Sequence, residues 1–265
     1  MAWFVVTVTD CIDVASNEVR AQLYEFLIKN RIKVNNVIVE PVAQAYPFSL
    51  LNGSFLLRLL ADEYPPKVIL YSIINPIKEQ PERIIGETKN GIIFIGRNTG
   101  VFSWLIRDFG CRSLYRIPVT KHIPFGGKYV YPEYIAKIIG YNGDLNNMAK
   151  HEKLRKLELG RLKNINIKYG EVVHIDNFGL LKLNIPTNDI KKLKVKEGEK
   201  VKIVINGNKT MYATYLNRLM NGEDGSIVIY PGSSLNMLEI GKVRDPNGLK
   251  KSGIKIGDEI RLKKP

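Results

Sequence analysis

Asp10 closes the apolar run WFVVTVTD, in the loop Thr9-Asp10-Cys11-Ile12-Asp13. A carboxylate at a strand end can accept both hydroxyl hydrogens of a ribose diol, or it can cap a helix that follows. The loop holds neither GxGxxG nor GxxxxGK with a following Ser or Thr, so the usual dinucleotide and phosphate-loop fingerprints are missing. Gln44-Ala45-Tyr46-Pro47-Phe48 sets an aromatic after a proline, which suits a flat ligand face or a core contact. The stretch from Asn75 to Arg83 is long, charged and stiffened by Pro76 and Pro81, and loops of that kind are usually functional. In Lys121-His122-Ile123-Pro124-Phe125-Gly126-Gly127-Lys128, the glycine pair lets backbone approach a ligand closely. His122 has no evident partner and reads as a surface histidine. Further on, His174-Ile175-Asp176-Asn177-Phe178-Gly179 and Pro231-Gly232-Ser233-Ser234 combine turn formers with hydrogen-bonding groups.

Cys11 and Cys111 cannot make a disulfide framework, and His122, His151 and His174 are too widely spaced for a metal cluster. No metal site, thiolate chemistry or cofactor is expected.

The elements that must carry these loops follow from the apolar pattern. WFVVTVTD, NNVIVE and KVILYSIIN are strand candidates, with helical patterns in NEVRAQLYEFLIKN and SLLNGSFLLRLLADEY. RIIGET and GIIFIG form a strand pair joined at Lys89-Asn90, followed by helical VFSWLIRDFG, the strand RSLYRIPV and helical PEYIAKIIG. Near-continuous Val/Ile runs between amphipathic helices predict an α/β domain with a mostly parallel sheet covered by helices. Beyond the Asn-rich stretch near Tyr141 the pattern becomes short strands with Gly-Asn or Gly-Asp turns, from EVVHIDNFG to DEIRLK. These predict a small C-terminal all-β barrel. The expected domains are 1–147, a basic linker 148–168, and 169–265.

Charge follows that division. Of 40 Lys+Arg and 26 Asp+Glu, residues 1–147 carry 16 and 13, and residues 148–265 carry 24 and 13. A basic face can serve nucleic acid or anionic ligands, but charge runs more commonly face water. No apolar run is long enough for a membrane span, and the N-terminus lacks signal-peptide character. A soluble, cytoplasmic protein without membrane contact is expected.

In order, VTD, EPVAQAYPFSLLNG, the NP…R loop, FIGRNTG, PFGGKYVYP, HIDNFGLLKLNI and GSSLNMLEIG resemble the S-adenosylmethionine (SAM) hydroxide adenosyltransferases and their fluorinase and chlorinase relatives, over nearly the whole chain. The resemblance implies an α/β domain, a β-barrel, and a homotrimer holding SAM between the large domain of one subunit and the barrel of its neighbour. It makes Asp10 the acceptor of the ribose diol and Phe48 the aromatic beside sugar and adenine. Asp176 would meet the methionine ammonium, Phe178 and Tyr215 would flank adenine, and Ser234 would lie near the methionine carboxylate.

The hydroxide branch of that family sets an Asp, an Arg and a His around the attacking water. Here Asn75 stands at the Asp position, Arg83 fits the arginine with one extra loop residue, and Phe125 stands at the His position. Asn cannot act as a base and Phe offers no hydrogen bond, so two of the three water-activating positions are changed. His122 is a candidate substitute. Leu180 and Leu235 replace polar residues that serve adenine and methionine.

The expected function is hydrolysis of SAM to adenosine and methionine by attack of water or hydroxide at ribose C5′. A non-catalytic SAM- or adenosine-binding relative is the alternative. Use of the basic barrel for nucleic acid ranks last, because its lysines lack interleaved aromatics.

Overall fold

The computed structural model describes residues 2–74, 81–118, 123 and 125–265, so Asn75 and His122 lie outside the described residues. The chain divides into two compact units, Met1–Ile165 and Asn166–Pro265.

The first unit runs β1 (Trp3–Thr9), α1 (Val14–Lys29), β2 (Val37–Val39), β3 (Ala43–Gln44), α2 (Leu50–Glu63), β4 (Val68–Ile73), β5 (Arg83–Thr88), β6 (Ile93–Arg97), α3 (Ser103–Phe109), β7 (Cys111–Arg116), α4 (Gly126–Tyr129), α5 (Tyr131–Gly140), α6 (Leu145–His151) and β8 (Arg155–Lys156). Its sheet has the order β2-β1-β4-β6-β5-β7-β8, with β3 beside the end of β1. The expected helix-covered sheet is present, parallel through β2, β1, β4 and β6. Beyond β6 it turns antiparallel, because the hairpin at Lys89-Asn90 folds β6 back on β5, and β7 and β8 follow suit. Gly91, at φ +89°, supplies the left-handed residue of that hairpin.

Alternation along the buried strands sends side chains to two cores. Val5, Tyr71 and Ile95 meet Leu23 and Leu27 of α1 and Ile135 and Ile138 of α5. On the other side, Phe94 packs tilted against Phe102, Phe55 of α2 meets Trp104 of α3 edge-on, and the Ser54 hydroxyl accepts the Trp104 backbone N–H. The two longest helices begin at side-chain caps: Asp13 accepts the Ala15 N–H and Ser49 accepts the Asn52 N–H. The cap of α1 is therefore Asp13, which leaves Asp10 for other work.

The stretch expected as a basic linker is built into the first unit as far as Ile165. Leu154 and Leu157 bury, β8 pairs with β7, and Asn98 bonds the Arg161 carbonyl and the Lys163 N–H at 2.8 Å each. Lysine density marks a wet surface there, while the leucines between decide the packing.

The second unit is the expected barrel-like sheet. Its strands are β9 (Val172–Ile175), β10 (Leu181–Pro186), β11 (Lys200–Ile205), β12 (Lys209–Tyr215), β13 (Ile227–Pro231), β14 (Met237–Lys242) and β15 (Ile260–Lys263). They are ordered β15-β11-β12-β13-β14-β10-β9. Val201, Ile203 and Ile205 point inward, while Lys200 and Lys202 alternate with them. The sheet curls until its edges touch at the Glu171–Glu259 bridge, where the Gly170 carbonyl accepts the Ile260 N–H at 2.8 Å. A Cβ on Gly170 would lie 2.6 Å from the Ile260 carbonyl oxygen, so only glycine permits this closure. Among the described residues no helix is long and apolar enough to cross a membrane.

Candidate functional site

In the first unit the residues singled out by sequence gather at the carboxyl ends of β1 and β4, where open α/β sheets bind ligands. The Asp10 backbone N–H reaches the Ile73 carbonyl at 3.4 Å, which brings the ends of the two strands together. One Asp10 carboxylate oxygen accepts the Phe48 N–H at 2.9 Å, and the other takes a weak contact from the Cys11 thiol at 3.7 Å. Burial, and then the Asp10 charge, push the Cys11 thiol above its usual pKa, so it is no thiolate nucleophile.

Phe48 sits at φ +58° with its side chain 67% exposed. A left-handed conformation is uncommon for a bulky aromatic, and strain of this kind collects at ligand clamps. The Asp10 hydrogen bond holds it. Tyr46, Ile12 and Val14 are exposed as well, so Asp10 lies amid unusually open apolar side chains.

Arg83 opens β5 and is only 4% exposed. Its Nε and Nη1 atoms are buried and have no hydrogen-bond partner among the described residues. Directly across the strand pair stands Arg97, which is tied to the Pro81 carbonyl at 2.8 Å. Burial, and then the Arg97 charge, lower the pKa of Arg83. A buried cation without a counter-charge is costly, and such an arrangement calls for an anionic or strongly polar guest.

Gly126 makes room for that guanidinium. A Cβ there would lie 3.0 Å from Arg83 Nε. A Cβ on the neighbouring Gly127 would lie 2.8 Å from the Phe125 ring and 2.9 Å from Ile73. The glycine pair, expected to let backbone approach a ligand, leaves room for the Arg83 guanidinium and the Phe125 ring. Phe125, half-buried against the core, joins Tyr71, Ile73, Thr9 and Cys11 around a cavity of about 220 Å³ under α1. The structure thus brings Asp10 to Phe48, and Arg83 to the Phe125-Gly126-Gly127 turn.

In the second unit, Asp176 organises its own loop. One carboxylate oxygen accepts the Phe178 and Leu180 N–H groups at 2.9 Å each, and the Phe178 side chain is 67% exposed. Tyr215 ends β12 opposite Ile229, and Ser234 lies buried in the turn between β13 and β14. Leu235 and Asn236, next in that turn, both have positive φ. Leu180 packs against Gly241, where a Cβ would lie 2.5 Å from its methyl carbon.

Sequence reasoning missed a row of polar side chains across four adjacent strands: His174 on β9, Lys182 on β10, Glu239 on β14 and Tyr230 on β13. Lys182 Nζ lies 2.6 Å from one Glu239 oxygen, and the Tyr230 hydroxyl donates to the other at 2.8 Å. Burial, and then Lys182, lower the His174 pKa to about 4, against the opposing charge of Asp176. The alternation of HIDN and LKLN carried this signal, since period-two polar positions on neighbouring strands share one face. Tyr131 was missed too. Among the described residues no three His, Cys, Asp or Glu side chains gather as metal ligands.

Comparison with known proteins agrees with this architecture. Two crystal structures share the fold: an uncharacterised conserved protein from Thermotoga maritima (TM-score 0.80, 18% identity, 97% of this chain and 99% of that one) and a conserved hypothetical protein from Thermus thermophilus (TM-score 0.72, 16% identity, 99% and 100%). An (R)-S-adenosyl-L-methionine hydrolase of Methanocaldococcus jannaschii is 26% identical over 160 residues, 58% of this chain. The matched region spans 56% of that relative's length. Residues 170–261 match the SAM hydroxide adenosyltransferase C-terminal domain. By that domain, and by its similarity to the hydrolase, the chain is similar to the SAM hydrolases.

Proposed function

We propose that the protein binds SAM and hydrolyses it to adenosine and methionine, by attack of water or hydroxide on ribose C5′. The observation that carries this reading is Arg83, a buried guanidinium with two N–H groups unpartnered among the described residues, beside the turn that positions Phe125. A fixed positive charge in a desolvated pocket favours hydroxide over water without a base to take the proton. The sulfonium leaves as neutral methionine thioether, so the leaving group needs no general acid. Orientation supplies much of the remaining acceleration, up to about 7 to 11 kcal/mol in the best intramolecular cases.

Binding is proposed to use Asp10 for the ribose diol and Phe48 for sugar and adenine. Asp176 serves the ammonium, Phe178 and Tyr215 the faces of adenine, and Ser234 the methionine carboxylate. These groups are proposed to meet by association of three copies, for which the open apolar side chains around Asp10 offer a surface. The nucleic-acid reading of the basic second unit is not favoured by the family match.

The test is incubation of pure protein with SAM, following adenosine and methionine by chromatography, with Arg83→Ala as control. Arginine-dependent product supports the hydrolase. Saturable SAM binding without product would instead identify a receptor, a reading favoured by Phe125 at the histidine position.

A further inference from the structure

Arg83 is not alone in lacking a partner. Tyr131, the first residue of α5, is 3% exposed, and its hydroxyl is a buried oxygen with no hydrogen bond among the described residues. It lies within hydrogen-bonding reach of the Arg83 guanidinium, short of good bond geometry, and Arg97 acts on both. The neighbouring tyrosine supplies the contrast. Tyr71 packs edge-on against Tyr131, with ring centroids 5.7 Å apart, and its hydroxyl donates to the Gly127 carbonyl.

Buried polar groups are nearly always satisfied, and each exception calls for an explanation. Here two exceptions of matching chemistry face each other: two guanidinium N–H donors and a phenol, with no carboxylate paired to them among the described residues.

We propose that Arg83 and Tyr131 together hold one anionic oxygen, Arg83 through its N–H groups and Tyr131 through its O–H, and that in SAM hydrolysis this oxygen is the attacking hydroxide. The assignment to hydroxide rests on the function proposed above; the two-donor cradle does not. In the step, water releases a proton to solvent and the resulting hydroxide forms the C5′–O bond. The C5′–S bond breaks with its electron pair going to sulfur, giving neutral methionine and adenosine. Burial keeps the phenol protonated, so Tyr131 acts as a donor and not as the base.

The test is Tyr131→Phe, with turnover of SAM measured against pH, SAM binding by calorimetry, and the thermal midpoint. Because the hydroxyl makes no hydrogen bond of good geometry among the described residues, its removal changes the midpoint little. The expected result is a kcat lowered roughly 10- to 100-fold, as for loss of one donor at a developing charge, with Kd for SAM within about twofold. The alkaline rise of the rate moves up by about one pH unit. Unchanged kcat and pH profile would overturn the proposal, as would parallel losses of binding, rate and midpoint.

If the wild type does not consume SAM, the hydrolase reading falls and the cradle is judged with formate. Thermal stabilisation of the wild type by formate that disappears in Tyr131→Phe upholds it. Equal stabilisation of both proteins, or none of either, overturns it.

Discussion

The Asp10 carboxylate accepts the Phe48 backbone N–H at 2.9 Å, across 38 residues of chain, and in doing so holds an exposed phenylalanine in a left-handed conformation. One oxygen of Asp10 is thereby committed to shaping the loop. The pair works as a unit, in which the residue proposed for the ribose also fixes the aromatic proposed to lie beside it.

Asp10→Ala should therefore weaken nucleoside binding more than the loss of one ligand contact would. Charge-assisted hydrogen bonds are worth about 1.5 to 3 kcal/mol, or roughly 10- to 100-fold in Kd. Calorimetric titration with adenosine checks this. Asp10→Asn, which keeps one acceptor for the Phe48 N–H, should bind better than the alanine variant.

Arg83 carries an opposite prediction for stability and for function. Its burial with no counter-charge among the described residues is unfavourable, so Arg83→Met should stabilise the unliganded protein by about 1 to 3 kcal/mol while abolishing turnover. Denaturant midpoints and a SAM assay on the same preparations test the pairing of gain and loss. A destabilised methionine variant would contradict the reading of Arg83 as an uncompensated charge.

Gly126→Ala introduces a methyl group 3.0 Å from Arg83 Nε. Overpacking of this kind costs about 1 to 3 kcal/mol, and here the yielding group is the guanidinium. The expected outcome is a kcat reduced at least about 10-fold with SAM affinity little changed, measured by initial rates over a substrate range.

Introducing the Asp and His that the resemblance to the SAM hydroxide adenosyltransferases implies tests whether Phe125 and Asn75 limit the rate. The double variant Asn75→Asp, Phe125→His should raise kcat by about 10-fold or more, since positioned acid–base groups contribute about 10²- to 10⁴-fold. Phe125 already lines the cavity at Ile73 and Tyr71, so the imidazole enters a space of suitable size.

His174 sets a pH window for the barrel. Its folded pKa is lowered to about 4 from 6.5, first by burial and then by Lys182. Between these values the unfolded chain binds the proton and the folded one does not. Stability from this residue is thus complete above about pH 6.5 and lost as pH falls toward 4. The group is partly exposed, so the expected loss is on the order of 1 to 2 kcal/mol. Urea midpoints at pH 7 and pH 4.5 should differ less in His174→Gln than in the wild type.

Much of this molecule was legible in the chain. β1, β4 and β6 announced themselves as continuous Val/Ile runs because both faces of that sheet are covered. Helices α1 and α2 were legible from their periodicity. The short helix α6 and the two-residue β8 escaped, because brief edge elements have too few residues to show a period. Asp10 and Phe48 were legible as loop chemistry, although the hydrogen bond joining them was not. Tyr131 escaped because a tyrosine before a proline reads as a helix start, and its unsatisfied hydroxyl exists only once β5, β6 and α5 converge. The glycine pair was noticed for its lack of side chains, and the space this leaves is bordered by Arg83 and Phe125.

The contact between Gly170 and Ile260 has a consequence for how the second unit can be handled. Its first and last strands lie side by side, so the path of the chain returns to where it started. A short linker could join those ends while new ones are opened at an exposed turn such as that at Gly207. The barrel is by this geometry a cassette, open to permutation or transplantation with its strand order intact.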